Sequence, residues 1–340
     1  VANFYVDTDL GTDDAGHGGS AGAGAWATFA YAESQLTGSL TEASTLWLSG
    51  AAADTTATTI NGCANTHRLT IKPTPGDEAA KTGWDTGRYR LSVTDADALF
   101  IYDDLVTVDN IQIEIVYSSG SGDNCITIDS QTAAGDVTIS RNYVRSNGVN
   151  SNRGITVNDA DTDIDIMGNI IHGCKSRGIL MNTSGLTADI YNNIINGAVD
   201  LIELQAGVTA VIKNNALMNN GGGEDIDNAG TATVQYNCAD DDLNTIHSET
   251  TNVQPLSASW ANEFVDASNG DYTAKTGGNM EDNGIGPGSD AKVPTPDIDG
   301  TTRSGTTCDI GPDEIAAAGG NAPTGALQGP LVGPFGGPVG

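Results

Sequence analysis

The sequence predicts an all-β chain wound as a solenoid: a right-handed single-stranded parallel β-helix with an N-terminal capping helix and an irregular C-terminal cap. Three observations predict it. First, Asn110, Asn142, Asn169, Asn193, Asn215 and Asn237 recur at steps of 32, 27, 24, 22 and 22 residues. A repeat of roughly 20–50 residues marks stacked, nearest-neighbour architecture. Second, each asparagine follows an alternating segment: Val106-Thr-Val108, Val137-Thr-Ile139, Ile164-Asp-Ile166, Ala188-Asp-Ile190, Ala210-Val-Ile212 and Ala232-Thr-Val234. Third, the apolar period is two, which belongs to strands, and Asn, Gly and Thr are poor helix formers.

The elements follow in order. Residues 1–45 form an entry: a strand at Phe4-Tyr-Val6, a Gly/Asp/Ser loop from Asp7 to Gly24, and a helical stretch from Ala25 to Leu36. Trp26, Phe29, Ala30 and Leu36 fall near one face of that helix, which suits a plug over the open end of the coil. Residues 46–244 are the rungs. The early ones are irregular, with strands at Leu46-Trp-Leu48, Leu69-Thr-Ile71 and Leu99-Phe-Ile-Tyr102 and long loops between. The later ones carry a strand before each asparagine strand, such as Ile126-Thr-Ile128, Ile155-Thr-Val157 and Ile179-Leu-Met181. A short apolar element follows the asparagine, such as Tyr143-Val144 and Ile170-Ile171. Three short strands per repeat make one coil, with Ile and Val inside and Thr, Asp and Glu outside.

Residues 245–315 lose the period. Trp260, Phe264 and Tyr272 are expected to cover the C-terminal end of the coil, where an open strand edge must be blunted. Residues 316–340 are rich in Ala, Gly and Pro and are expected to engage a partner in assembly, since such a composition builds no core of its own. The asparagines have a structural explanation. At a tight bend an Asn tolerates left-handed backbone, and stacked one rung apart the side chains can bond in a ladder.

Composition excludes some functions. There are 44 acidic and 14 basic residues, a formal net charge of −30. Nucleic acid and anionic membranes need a basic face, so neither is a partner. No apolar run reaches the ~18–20 residues of a membrane span. Cys63, Cys125, Cys174, Cys238 and Cys308 are odd in number and lack metal-ligand spacing, so they read as small apolar residues in a reducing setting. The chain opens Val-Ala-Asn with no visible signal peptide. A signal removed before Val1 and a lost initiator Met read alike.

Two segments carry a resemblance. Phe4-Tyr-Val-Asp7 followed by Trp26-Ala-Thr-Phe29 resembles the start of right-handed parallel β-helix proteins of the pectate-lyase-like superfamily. Phe264-Val-Asp-Ala-Ser-Asn-Gly-Asp-Tyr272, Asp297-Ile-Asp-Gly300 and Asp309-Ile-Gly-Pro-Asp-Glu314 resemble the C-terminal region of that group, where surface proteins of the choice-of-anchor kind end. The resemblance spans the chain to about residue 315 and implies the fold. The superfamily holds polysaccharide lyases, glycosidases, adhesins and phage virion proteins, so it does not fix the activity.

The resemblance implies, for a lyase, an Arg or Lys base beside acid-bound Ca²⁺. Arg141, Arg145, Arg153, Lys175 and Arg177 are the candidates. Arg153 and Arg177 share one place in consecutive repeats, and Asp200 and Glu224 continue the row. Its simplest reading is an exposed charge ladder. A hydrolase needs two carboxylates; Asp165 with Asp189, and Glu203 with Asp227, occupy matching outward positions one repeat apart. Asp159, Asp161 and Asp163, with Asp165, alternate through one turn and suit Ca²⁺. Asp7, Asp9, Asp13 and Asp14, and Asp240 to Asp242, are further acidic clusters. Gly16-His17-Gly18 lies in the entry loop, away from any acidic rung.

The sequence therefore points first to a non-catalytic structural β-helix that builds or decorates a larger assembly. A phage virion component (head decoration, fibre or tail) or an extracellular surface fibre fits, with self-association, glycan binding as an added role, and a virion or cell-surface location. The resemblance implies trimers. The alternative is a Ca²⁺-dependent polysaccharide lyase or a glycoside hydrolase acting on acidic polysaccharide, with Arg153, Arg177, Asp165, Asp189 and Glu203 as its machinery.

Overall fold

A computed structural model describes residues 1–315 other than 39, 65, 119–121, 130–134, 148–151, 159–162, 220 and 304. The strands of its coil form three parallel sheets that wind in the order A, B, C, giving the right-handed parallel β-helix that the repeats predict, and the C-terminal segment adds two short antiparallel pairs. Sheet A has nine strands: Ala2–Asp7, Ser44–Ser49, Leu69–Pro73, Val106–Asp109, Asp136–Ser140, Asp163–Met167, Thr187–Tyr191, Thr209–Lys213 and Thr231–Gln235. Sheet B has eight, from Ala53–Asp54 to Cys238–Ala239, and sheet C seven, from Thr58–Ile60 to Ile226–Asn228. Each strand pairs only with its neighbours one rung before and after. The irregular early segment contributes full rungs of its own.

Alternation sets the inside. In sheet A, Leu46, Ile71, Val108, Ile139, Ile166, Ile190, Ile212 and Val234 stack in register. Every one is at most 1 % exposed. Each such side chain contributes about 1.5–3 kcal/mol on burial. The β-branched Ile and Val suit the pleated wall.

The corner from sheet A to sheet B turns on one left-handed residue per rung. These are Asn110, Arg141, Gly168, Asn192, Asn214 and Tyr236, with φ of 63, 57, 71, 55, 58 and 59°. The ladder asparagine is the next residue. Asn142, Asn169, Asn193, Asn215 and Asn237 are wholly buried. The Asn193 Oδ1 accepts from the backbone N–H of Asn169 at 2.9 Å and from Asn169 Nδ2 at 3.0 Å, while Asn193 Nδ2 donates to the Ile166 carbonyl at 2.9 Å. The same pattern repeats up the corner.

Two corrections follow. Asn110 is not in the ladder. It is the left-handed residue of its rung, and Ile111 takes the ladder position, its N–H donating to Asn142 Oδ1 at 3.0 Å. The extra residue in the first spacing hid this shift. At the other end the ladder runs two steps further, to Asn252 and then Asn244, with Asn237 N–H on Asn252 Oδ1 at 2.9 Å and Asn252 Nδ2 on Asn244 Oδ1 at 3.1 Å.

The ends are closed by short helices. α1 (Phe29–Leu36) is shorter than the expected stretch and buries Phe29, Ala32 and Leu36. Thr28 caps it by accepting from Tyr31 N–H, and Asp13 holds the entry by accepting from Ala27 N–H at 2.8 Å. Trp26 lies outside the helix, bridged to Val6 and stacked on Phe4 at 6.1 Å. α2 (Leu243–His247), capped by Asp242, puts Leu243 over the last rung.

Trp260, Phe264 and Tyr272 do not cover that end. They lie along the outside of sheet B, packed on Tyr143, Ile170, Ile194, Ala216 and Cys238. The C-terminal segment is thus a flank running back beside the coil. Its outward apolar partners explain why the third element of each repeat, as in Ile170-Ile171 and Ile194-Ile195, shows no alternation: both faces are buried. The flank is pinned by Lys81, which pairs with Asp313 at 2.6 Å and Asp299 at 2.9 Å. All five cysteines are buried and unpaired. The expected role of residues 316–340 lies outside the described residues.

Two outcomes check this fold. Asn193→Ala strips partners from the Asn169 N–H and the Ile166 carbonyl, so it should lower unfolding stability by about 2–5 kcal/mol. Asn110→Gly, which keeps the left-handed backbone, should change it by less than about 1 kcal/mol in the same denaturant titration. At the flank, Glu314 Oε2 lies 3.3 Å from Nε of the fully buried Arg303, close enough for ion pairing but without hydrogen-bond geometry. Burial pushes the Glu314 carboxyl from 4.5 up to about 7. The folded state then holds a proton that the unfolded chain releases, so this contribution is full below 4.5 and is lost as pH rises to about 7. The melting temperature of the native chain should therefore fall, relative to that of Glu314→Gln, across that window.

Candidate functional site

Sheet C brings most of the sequence candidates together. Asn124, Arg153, Arg177 and Asp200 stack in register along one edge, and Thr127, Thr156, Leu180, Glu203 and Asp227 along the outward column beside it. Glu224 extends the edge row, its N–H donating to Asp200 Oδ1 at 3.3 Å. The two rows meet at Arg177. Its Nε contacts Glu203 Oε2 and lies 3.6 Å from Asp200 Oδ2. The Glu203 Oε1 accepts from Gln205 Nε2. Oxygens of Asp200, Glu203 and Asp227 all lie within 4.8 Å of one another, with Glu203 buried and Asp227 exposed.

Such a cluster can bind a hard cation: carboxylate oxygens from neighbouring rungs approach one point, and their repulsion falls when a positive charge sits among them. Arg177 meets part of that demand. Arg153, one rung earlier, has no such partner among the described residues, and its Nε is buried without an acceptor among them.

The other carboxylate pair is on sheet A. Asp165 and Asp189 are in register one rung apart. Lys292, from the flank, reaches over both, 3.1 Å from Asp165 Oδ1 and 3.0 Å from Asp189 Oδ2. A cavity of about 300 Å³ lies there, lined also by Asp163, Thr187 and Thr209. Burial raises the pKa of the Asp165 carboxyl, which Lys292 counters. Burial works against the Lys292 ammonium, yet its hydrogen bonds to Asp189 and Asp165 outweigh that and hold its pKa above the ordinary lysine value. Sequence reasoning missed Lys292 because the flank has no period to place it.

The remaining acids have structural work. Asp163 accepts from Thr187 Oγ1 at 2.7 Å, while Asp159 and Asp161 lie outside the described residues. Asp9 accepts from Ala51 and Ala52 N–H groups, which hold its carboxyl below the usual range, and Asp14 pairs with His17 at 2.6 Å. Asp240 accepts from Asn219 N–H and Trp260 Nε1 at 2.7 Å each. Arg141 and Arg145 are paired with Asp109 and Glu114. Among the described residues no helix is long and apolar enough to cross a membrane.

The two clusters should respond differently to losing their cation. Arg177→Met leaves a buried Glu203 beside Asp200 and Asp227 and should cost about 3–5 kcal/mol of unfolding stability. Lys292→Met, at a half-exposed lysine, should cost about 1 kcal/mol or less. Equilibrium unfolding in urea at neutral pH checks both.

No family model matches the chain, and no curated protein matches it. Among solved structures it is similar to a pectate lyase, Pel9A, at 13% sequence identity and a TM-score of 0.40, over 92% of this chain and 96% of that chain. The likeness is one of fold.

Proposed function

We propose that the protein is a non-catalytic, carbohydrate-binding β-helix that holds an acidic polysaccharide along sheet C through a divalent cation. Asp200, Glu203 and Asp227 are the cation's ligands. The observation that carries this reading is the convergence of their oxygens within 4.8 Å on a strand column whose preceding residues, Thr127, Thr156 and Leu180, are uncharged. With a net charge of −30 the protein repels an anionic polymer unless a cation bridges them. Ca²⁺ competes with Arg177 for Glu203. Once freed, Arg177 turns with Arg153 to the carboxylates of the polymer, and the buried Arg153 Nε gains an acceptor. Binding is preferred to proton abstraction because a guanidinium keeps its charge. The setting we propose is a surface, of a virion or a cell, on which several copies display this face.

Calcium titration followed by thermal unfolding tests the site. At a hundredfold excess over its dissociation constant Ca²⁺ should add about 2.7 kcal/mol of stability, and Glu203→Gln should abolish the gain. Retention on alginate beads should require Ca²⁺ and vanish with a chelator. Absorbance from unsaturated uronates, growing with time and lost in Arg177→Ala, would replace this reading with that of a lyase. A monomer at every concentration by light scattering would remove the multi-copy setting.

A further inference from the structure

A cavity of about 510 Å³ opens at the corner between sheets A and B, over the early rungs. Trp47, Lys72, Asn110 and Arg141 come from the coil, and Ile298 and Asp299 from the flank. Nothing about it depends on the cation site of sheet C.

Asn110 is the reason to read it as a binding site. It belongs to the column of left-handed corner residues, with Asn192 and Asn214. Those two have a visible task. The Asn214 carboxamide grips one flank residue at two points, donating from Nδ2 to the Ile285 carbonyl at 2.8 Å and accepting from the Ile285 N–H at 2.9 Å. Asn192 Nδ2 donates to the Gly311 carbonyl at 3.0 Å. At these two rungs the corner residue therefore holds flank backbone, a strand residue at Ile285 and a bend at Gly311. At Asn110 the backbone is satisfied within the coil, by Ser140 and Ala79. Its side chain is different: only 7 % of the residue is exposed, and its Oδ1 is buried with no hydrogen-bond partner among the described residues. A buried carboxamide oxygen left without a donor is unfavourable. A peptide group in the cavity, met by a modest turn of that carboxamide, would supply one.

The charge pattern narrows the peptide. Arg141 is docked by two hydrogen bonds on Asp109. Asp299 is paired with Lys81, Arg88 with Asp85 at 3.0 Å, and the Glu78 carboxylate, which also lines the cavity, accepts from the Gly76 N–H at 2.6 Å. Lys72 instead rests over the Trp47 ring, 4.3 Å from its centroid, with no carboxylate partner among the described residues. Trp47 is fixed by its own Nε1 donating to Asn3 Oδ1 at 3.0 Å. The site thus offers a two-point amide reader, an apolar wall and one unspent cation.

We propose that this cavity docks a short peptide segment of a partner protein, with its backbone on Asn110 and an acidic side chain on Lys72. The probe is a blocked tetrapeptide with the sequence of residues 309–312, Asp-Ile-Gly-Pro, whose counterpart in the flank contacts Asn192. It is titrated into the full chain with a chelator present, so that the sheet C site plays no part. The readout is the NMR shift of the Trp47 indole N–H, assigned by its loss in Trp47→Phe. A saturable shift is expected, weakened about tenfold in Lys72→Gln and in Asn110→Gly. An Asn-Ile-Gly-Pro peptide should bind as weakly as the acidic one binds Lys72→Gln. The absence of a saturable shift overturns the proposal, as does a shift unchanged in both variants. Tighter binding of a hyaluronan tetrasaccharide than of the peptide would make this a saccharide site and equally overturn it. Unchanged melting temperatures for the two variants exclude misfolding as the cause of a loss.

Discussion

The structure depends on how one corner disposes of its backbone polar groups. A chain that turns sharply inside a dry coil strands an N–H and a carbonyl at every turn, and each must find a partner. In this protein the Asn carboxamide supplies both: its oxygen accepts the N–H of the rung before, and its nitrogen donates to a carbonyl two residues ahead of that rung's bend. One side chain type thus solves the problem, rung after rung, and the sheets on either side inherit their register from it. The hydrophobic interior then needs only to be apolar and of similar size.

That solution fixes what the three faces are free to do. Sheet B gives its outer face to the flank and becomes apolar on both sides. Sheet A is crossed at its later rungs by Lys292, Asp290 and the backbone around Ile285. Sheet C carries the convergent acids and the two stacked arginines. Charge has been placed where covalent winding and the flank leave strand faces that need not pack, which is why an acidic chain can concentrate opposed charges on one strip.

The periodic part of the chain was legible as sequence. The strands of all three sheets over the later rungs, the stacking of Arg153, Arg177, Asp200 and Glu224, and the matching of Asp165 with Asp189 follow from counting. What failed to show has a common cause. Asn110 was aligned by identity, although a one-residue offset moves it from the buried ladder to the bend beside it. Asn252 continues the ladder after a step of only 15 residues, because the last turn is cut short by α2. Lys292 and the aromatic residues of the flank meet the coil through contacts between aperiodic and periodic segments, and no spacing encodes those.

The flank has one more consequence. Each rung is made of neighbours close in sequence, so a coil of this kind can lengthen stepwise from its N-terminal plug as the chain emerges. Lys81 and Asp313, however, are joined across 232 positions. That contact forms only when all the intervening turns are stacked at their right number and pitch. A coil with a slipped or missing turn would leave the flank unable to reach its anchor, with Trp260, Phe264 and Tyr272 left in water. The flank's last anchor thus depends on the number of stacked turns, and a coil short of one would expose an aggregation-prone aromatic strip.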